Sequence, residues 1–159
     1  MERLALLILL LAACHGDQDD TAADTDADTD ADTDADTDTD TDVFPLEGTW
    51  EDGWGGVHTI TRKSWTMVYP SDTSLFHLVT ITLESAFLVA QNDAANQWYP
   101  DLYSRFDWTI VGDDPWYCQV AWDAADAKTA AAAPAADDSN PAKNGCGGFP
   151  WNHLEPLSE

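Results

Sequence analysis

"YSRFDWTIVGDDPWYCQVAW", Tyr103–Trp122, decides how the chain is read. Side chains of an extended segment point alternately to opposite faces, so Phe106, Trp108 and Ile110 share one face of a first strand. "VGDDP" carries the Gly, Asp and Pro of a turn. "WYCQVAW" then reads as a second strand. Working outward, "SLFHLVTITLE" is a longer strand, with Phe76, Leu78 and Thr80 on one face and His77, Val79 and Ile81 on the other. "AFLVAQND" follows a turn at Glu84-Ser85. "GVHTITRKSWTMVYP" is an alternating stretch broken at Lys63-Ser64, and "GTWED" opens the series. Short runs at roughly 10–12-residue spacing predict a mostly β fold, a small antiparallel β-barrel or β-sandwich.

One segment departs from this pattern. "DAADAKTAAAAPAADD" is rich in alanine with aspartate at its front, which predicts one short Ala-rich helix near the C-terminus, ending near Pro134. "DDSNPAKNGCGGF" reads as a loop, and "FPWNHL" returns as a last strand. All eight tryptophans, four tyrosines and five phenylalanines lie after Val43, so residues 43–159 form a single β-rich domain of ordinary size.

The residues before Val43 have a different chemistry. From His15 to Asp42 there are thirteen aspartates and no Lys, Arg or Glu, out of a formal net charge of −24 for the whole chain. The segment "DTDADTDADTDADTDTDTD" has no large apolar side chain with which to offset the entropy of ordering it. As a strand it would place like charges side by side, and Asp and Thr are poor helix formers. It lacks the glycine and glutamate of an EF-hand loop, which leaves only loose screening by divalent cations. Residues 14–42 are therefore expected to form a disordered, self-repelling tether. A flexible chain of this length averages about 30 Å end to end and reaches roughly 90–100 Å when stretched. The acidity excludes nucleic acid as a partner, since nucleic-acid binders are basic.

Ahead of the tether, "MERLALLILLLAACHG" holds ten apolar residues, Leu4 to Ala13. A membrane-spanning helix needs about 20, whereas a secretory signal has this shape. Leu11-Ala12-Ala13-Cys14 resembles a bacterial lipobox. The resemblance implies a signal peptide over residues 1–13, a lipid on Cys14, and attachment to a membrane, with the outer membrane favoured by His15 after the cysteine. Three cysteines is an odd number for an exported chain. With Cys14 lipidated, Cys118 and Cys146 remain as a disulfide pair in an oxidising compartment.

Two further resemblances concern the domain. Gly48-Thr49-Trp50 resembles the Gly-x-Trp opening of lipocalin-like barrels, although the arginine that packs on that tryptophan in lipocalins has no counterpart that can be assigned. The set "GTWEDGWGGVHTIT", "FLVAQND", "LYSRFDWT", "YCQVAWDA" and "GCGGFPW" is similar to uncharacterised lipoprotein domains of spirochaetes and deltaproteobacteria, which implies export and a lipid anchor but no activity.

No serine lies in a nucleophile-elbow context, no glycine-rich loop joins a strand to a helix, and His58 and His77 sit mid-strand, where a satisfied or surface histidine is usual. No catalytic, metal or cofactor site is expected, and a hydrolase is the remote alternative. The aromatic residues carry the binding hypothesis. Trp98, Tyr99, Tyr103, Trp116, Tyr117 and Trp151 are candidates to stack on a ligand or to fill the core. "QNDAANQWYPDLYSRF" is the expected rim, with Gln91, Asn92, Asp93, Asn96 and Gln97 supplying polar groups beside Trp98 and Tyr99 in an inter-strand loop. The expected function is non-catalytic surface interaction by a lipid-anchored β domain, with an unidentified protein or carbohydrate ligand. A lipocalin-like carrier or carbohydrate binder using an aromatic-lined barrel mouth is the alternative.

Replacing Cys14 by Ser is expected to move the protein from the membrane fraction to the soluble fraction and to abolish labelling by a fatty-acid probe. Unchanged labelling would contradict the lipobox reading.

Overall fold

A computed structural model describes residues 43–157. The expectations for the signal peptide, Cys14 and the tether lie outside the described residues. The elements in chain order are β1 (Gly48–Asp52), β2 (Val57–Ile60), β3 (Ser64–Tyr69), β4 (Asp72–Thr82), β5 (Phe87–Asn92), β6 (Tyr103–Val111), β7 (Asp114–Ala124), α1 (Ala127–Ala131) and β8 (Asn152–Pro156). Every strand pairs antiparallel with its neighbour in sequence, and β1 pairs with β8 through Trp50↔Pro156, Glu51↔Glu155 and Asp52↔Leu154. The sheet therefore closes into an eight-stranded up-and-down barrel, which leaves no free sheet edge. Of the two architectures compatible with the sequence, the barrel is the one formed.

Alternation decides what fills the barrel. Trp65, Phe76, Leu88, Phe106 and Tyr117 point inward and are buried. Their rings meet at centroid distances of 4.8 Å for Trp65–Phe106 and Trp65–Tyr117 and 5.0 Å for Phe76–Phe106. Such pairs add about 0.5–1.5 kcal/mol each beyond the area they bury. One end of the barrel is plugged by the segment leading into β1: Phe44 meets Trp108 edge-on at 5.5 Å, and Leu46 is fully buried. Ile110, expected on the same inward face as Phe106 and Trp108, lies beyond this plug and is exposed.

Strand β4 corrects one expected face. The register to β5 shifts between Leu78 and Thr80, so that Leu78 faces Ala90 while Thr80 faces Val89 and Ile81 faces Leu88. The bulge reverses the alternation that follows it: Ile81 packs on the core and Thr80 is exposed. A bulge inserts one residue on one strand and re-aims everything downstream.

The excursion between β7 and β8 covers the outer face of β5, β6 and β7. Helix α1 is short, capped by the Asp126 carboxylate on the Thr129 N–H at 2.7 Å, and ends before Pro134 as expected. Beneath it sits a buried ion pair. Arg105 Nε donates to Asp107 Oδ1 at 2.7 Å, and its guanidinium lies 4.2 Å over the Phe87 ring. Arg105 Nη1 also donates to the carbonyls of Ala131 and Ala133 at 2.8 and 2.6 Å, while Asp107 Oδ2 accepts from the Ala136 N–H at 2.8 Å. The pair thus holds the end of α1 and the segment after it against β6. Cys118, paired with Asp107 across the sheet, bonds to Cys146 with a Cα–Cα distance of 5.5 Å. Gly145, next to it, is required by close approach: a Cβ there would meet the Asp137 carbonyl oxygen at 1.8 Å, and its φ is +104°.

Replacing Cys146 by Ser is expected to cost roughly 2–5 kcal/mol of stability. In amide exchange, protection should fall first over residues 125–151 while the strands stay protected. Equal loss of protection in β2 and β3 would contradict the local role assigned to this bond.

Candidate ligand-binding site

The end of the barrel opposite the plug is open. The turns β1–β2 and β3–β4, the loop Asp93–Leu102 and the excursion after β7 all lie there, because successive strands of an up-and-down barrel turn at alternate ends. They surround a cavity of about 480 Å³, within the usual range for small-molecule sites. Six aromatic rings line it: Tyr69, Phe76, Trp98, Tyr99, Tyr117 and Trp122. The polar lining is Ser74, Asn92, Asn96, Gln119 and Asn152, and none of the lining residues is charged.

The loop that carries Trp98 and Tyr99 is held by two asparagines. Asn92 Nδ2 donates to the carbonyls of Tyr99 (2.8 Å) and Trp122 (3.0 Å), and its Oδ1 accepts from the Ser104 hydroxyl (2.7 Å). Asn96 pairs with the backbone of Leu75 in both directions, at 2.8 and 2.9 Å. Tyr99 and Asp101 take positive φ of 53° and 63°, a backbone state that non-glycine residues hold only when surrounding bonds impose it. Trp98 is left 65 % exposed and Trp122 46 % exposed at the mouth.

Below the mouth lies a hydrogen-bonded chain through the core. The buried Asp52 carboxylate accepts four bonds: from the N–H of Trp54 (2.9 Å) and of Gly56 (2.7 Å) on Oδ1, and from His58 Nε2 (3.1 Å) and the Tyr69 hydroxyl (2.6 Å) on Oδ2. Trp65 Nε1–H donates to His58 Nδ1 at 3.1 Å. An indole nitrogen only donates, so Nδ1 is the acceptor and the His58 proton sits on Nε2. The Tyr69 hydroxyl donates its hydrogen bond to Asp52, and Tyr117 lines the same cavity with its ring 5.6 Å from that of His58. Gly56 permits this packing, since a Cβ there would meet the Tyr69 ring at 2.5 Å.

The protonation states follow from these partners. Burial pushes the Asp52 carboxyl up, but bonds from Tyr69, Gly56, His58 and Trp54 outweigh it and hold the group below the usual carboxylate range. Burial lowers His58, against the opposing pull of Asp52. Burial and the Asp52 charge push the Tyr69 hydroxyl far up, and burial, with the Asp52 charge, does the same for Tyr117. Both nitrogens of His58 are committed within the core, so the Asp52–His58 pair has no lone pair to offer a substrate.

Of the residues expected to bind ligand, Trp98, Tyr99 and Asn92 line the cavity, joined by Asn96 and Tyr117 from the wider candidate set. Gln91, Asp93 and Tyr103 do not. Asn92 points inward, so its neighbour Gln91 points out and bonds the Asp101 carbonyl at 3.3 Å. Asp93 caps the loop at the Ala95 N–H (2.8 Å) and pairs with His77 (2.7 Å). Tyr103 packs outside the barrel against the cluster of Val89, Ala124 and Ala130 beneath α1. Trp116 stacks on His153 at 4.3 Å, and Trp151 is buried with its N–H on the Asp137 carbonyl. Trp122, Gln119, Asn152 and the Asp52 chain were not singled out by the sequence. The aspartate before "GWGG" was the available signal for the last, because an acid ahead of a glycine-rich turn accepts its backbone N–H groups.

A second hollow, on the outside between β7 and Pro134–Phe149, is apolar and lacks a converging set of polar side chains. No family model, curated protein or solved structure matches the chain.

The buried chain predicts acid lability. Unfolded, His58 titrates near 6.5, and the folded value is lower. Between the two, the unfolded chain binds a proton that the folded chain does not, so stability is full above about pH 6.5 and falls as pH drops below it. Asp52 adds a further loss as pH falls below its unfolded value near 3.8. In His58→Gln, the amide can accept from Trp65 and donate to Asp52 without titrating. Its urea midpoint is expected to change less than that of the parent between pH 7 and pH 5; an identical slope would contradict the assignment.

Proposed function

We propose that this is an exported, lipid-anchored, non-catalytic binding protein that holds a small ligand in the mouth of its barrel. Cys14 is the anchor, residues 15–42 are the tether, and the domain after Val43 is the binding module. The observation that carries the binding step is the cavity of about 480 Å³ whose wall combines six aromatic rings with five neutral polar side chains. Rings beside amides suit ligands with a face to stack on, sugars and organic cations among them. Rigid support favours the same reading, since Asn92 and Asn96 fix the aromatic loop before any ligand arrives and so lower the entropy cost of binding. The segment from Phe44 to Leu46 seals the opposite end, so a ligand enters and leaves by the mouth alone among the described residues.

The test is an NMR screen of small molecules that includes sugars, amines and aromatic acids. Binders are expected to shift the side-chain amide signals of Asn92, Gln119 and Asn152 together with the Trp98 indole. Trp98→Ala should weaken each such binder at least about fivefold, a typical loss for one stacked ring. Hits scattered over the barrel surface, or unaffected by Trp98→Ala, would contradict the proposal.

A further inference from the structure

Resting on that reading of the mouth, the ligand class can be narrowed from where its protons and charges lie. Two lining hydroxyls are turned away from the cavity as donors. Tyr69 directs its O–H at Asp52 in a 2.6 Å hydrogen bond. Ser74 is turned to Asp72, at 3.5 Å. Both amide hydrogens of Asn92 are taken by the carbonyls of Tyr99 and Trp122. Gln119 gives one amide hydrogen to Ser104 at 3.0 Å. The Tyr69 oxygen at the floor is therefore left with a lone pair, and a ligand that reaches it has to donate.

The charges around the mouth point the same way. Asp72, Asp93, Asp101 and Asp123 stand on the turns and strand ends at the open end, with the Asp52 carboxylate beneath them. The lysines and arginines described lie elsewhere, while His77 at the rim pairs with Asp93 at 2.7 Å. Arg62 and Lys63 are on the β2–β3 turn at the plugged end, Arg105 is bonded to Asp107, and Lys128 and Lys143 belong to the excursion outside the barrel. An anion entering the mouth would face this field with no cation in the lining to receive it. A cation is drawn in by the carboxylates and by the negative faces of the rings.

We propose that the barrel mouth binds an organic ammonium ion, its alkylated cationic head among the rings of Trp98, Tyr99 and Trp122 and an O–H or N–H donor reaching the oxygen of Tyr69. The acidic rim raises the local concentration of such ions, the rings receive the charge, and the acceptor-only phenol of Tyr69 selects for a ligand with a donor. A neutral molecule of the same shape satisfies the packing and forgoes the charge.

The experiment titrates the full chain with choline, with its neutral isostere 3,3-dimethylbutan-1-ol, and with the disaccharide maltose, following the side-chain amide signals of Asn92, Gln119 and Asn152. Choline is expected to shift these signals and to bind at least about tenfold more tightly than the isostere. Its affinity should fall as salt rises from 50 to 500 mM, because the rim carboxylates are open to screening. Trp98→Ala, at an exposed side chain, should weaken choline by about tenfold without changing the melting temperature. If the isostere binds as tightly as choline, or maltose shifts these signals and choline does not, the ammonium assignment is overturned and the small-ligand reading stands. If none of the three moves these signals, the ammonium assignment is overturned, and the small-ligand reading falls with it when the wider screen moves none of them either.

Discussion

The Asp52 carboxylate, buried inside the barrel, ties together the parts on which the rest of the structure depends. Its backbone belongs to the strand that closes the barrel, pairing with Leu154 of β8. Its side chain holds the β1–β2 turn through Trp54 and Gly56, strand β2 through His58, and strand β3 through Tyr69. Taking a carboxylate out of water costs several kcal/mol, and that cost is offset only when its lone pairs are satisfied. Four donors on two oxygens meet that requirement. Removing any one would leave the charge partly unanswered, which is worse than never having buried it.

The same carboxylate sets the chemistry of the cavity above it. The Tyr69 hydroxyl donates to Asp52, and that direction turns the phenol oxygen into an acceptor at the cavity floor. An apolar core in this position would leave the mouth a greasy slot without polarity. The buried chain gives it a sign. The asparagine pair at the rim has a complementary role, since Asn92 and Asn96 use their amides to hold the loop that presents Trp98 and Tyr99. Two of the lining amides are joined through the buried Ser104, which donates to Asn92 and accepts from Gln119.

The strands were legible because their inward positions repeat every second residue, as in Phe106 and Trp108. The pairing of Cys118 with Cys146 was legible from an odd cysteine count once Cys14 was set aside. The face of Ile81 was not, because a bulge has no signature in an alternating run of β-branched residues. Gln91 and Asp93 were expected at the site but flank Asn92, which does line it, and period 2 sends such neighbours outside; Tyr103, expected for its ring, packs outside the barrel beneath α1. Arg105 and Asp107 alternate with Phe106 and Trp108 and so read as a solvated face. Only the return of the 131–136 segment over β6 makes them a buried pair, and that contact spans more than twenty residues of sequence. The Asp52 chain was hidden for a similar reason: its members come from three strands, β1, β2 and β3, and no local pattern announces that a histidine and a tyrosine converge on one carboxylate with a tryptophan behind the histidine.

The tautomer and charge of His58 test the account most directly. Long-range ¹H–¹⁵N correlation through the imidazole ring distinguishes a protonated nitrogen from one with a lone pair. The expected result is a neutral ring with its proton on Nε2 and an acceptor Nδ1, persisting as pH is lowered through 6.5, the value at which a free histidine is half charged. An imidazolium at that pH, or a proton on Nδ1, would mean that Trp65 does not donate to His58 and that the chain from the core to the barrel mouth is not built as described.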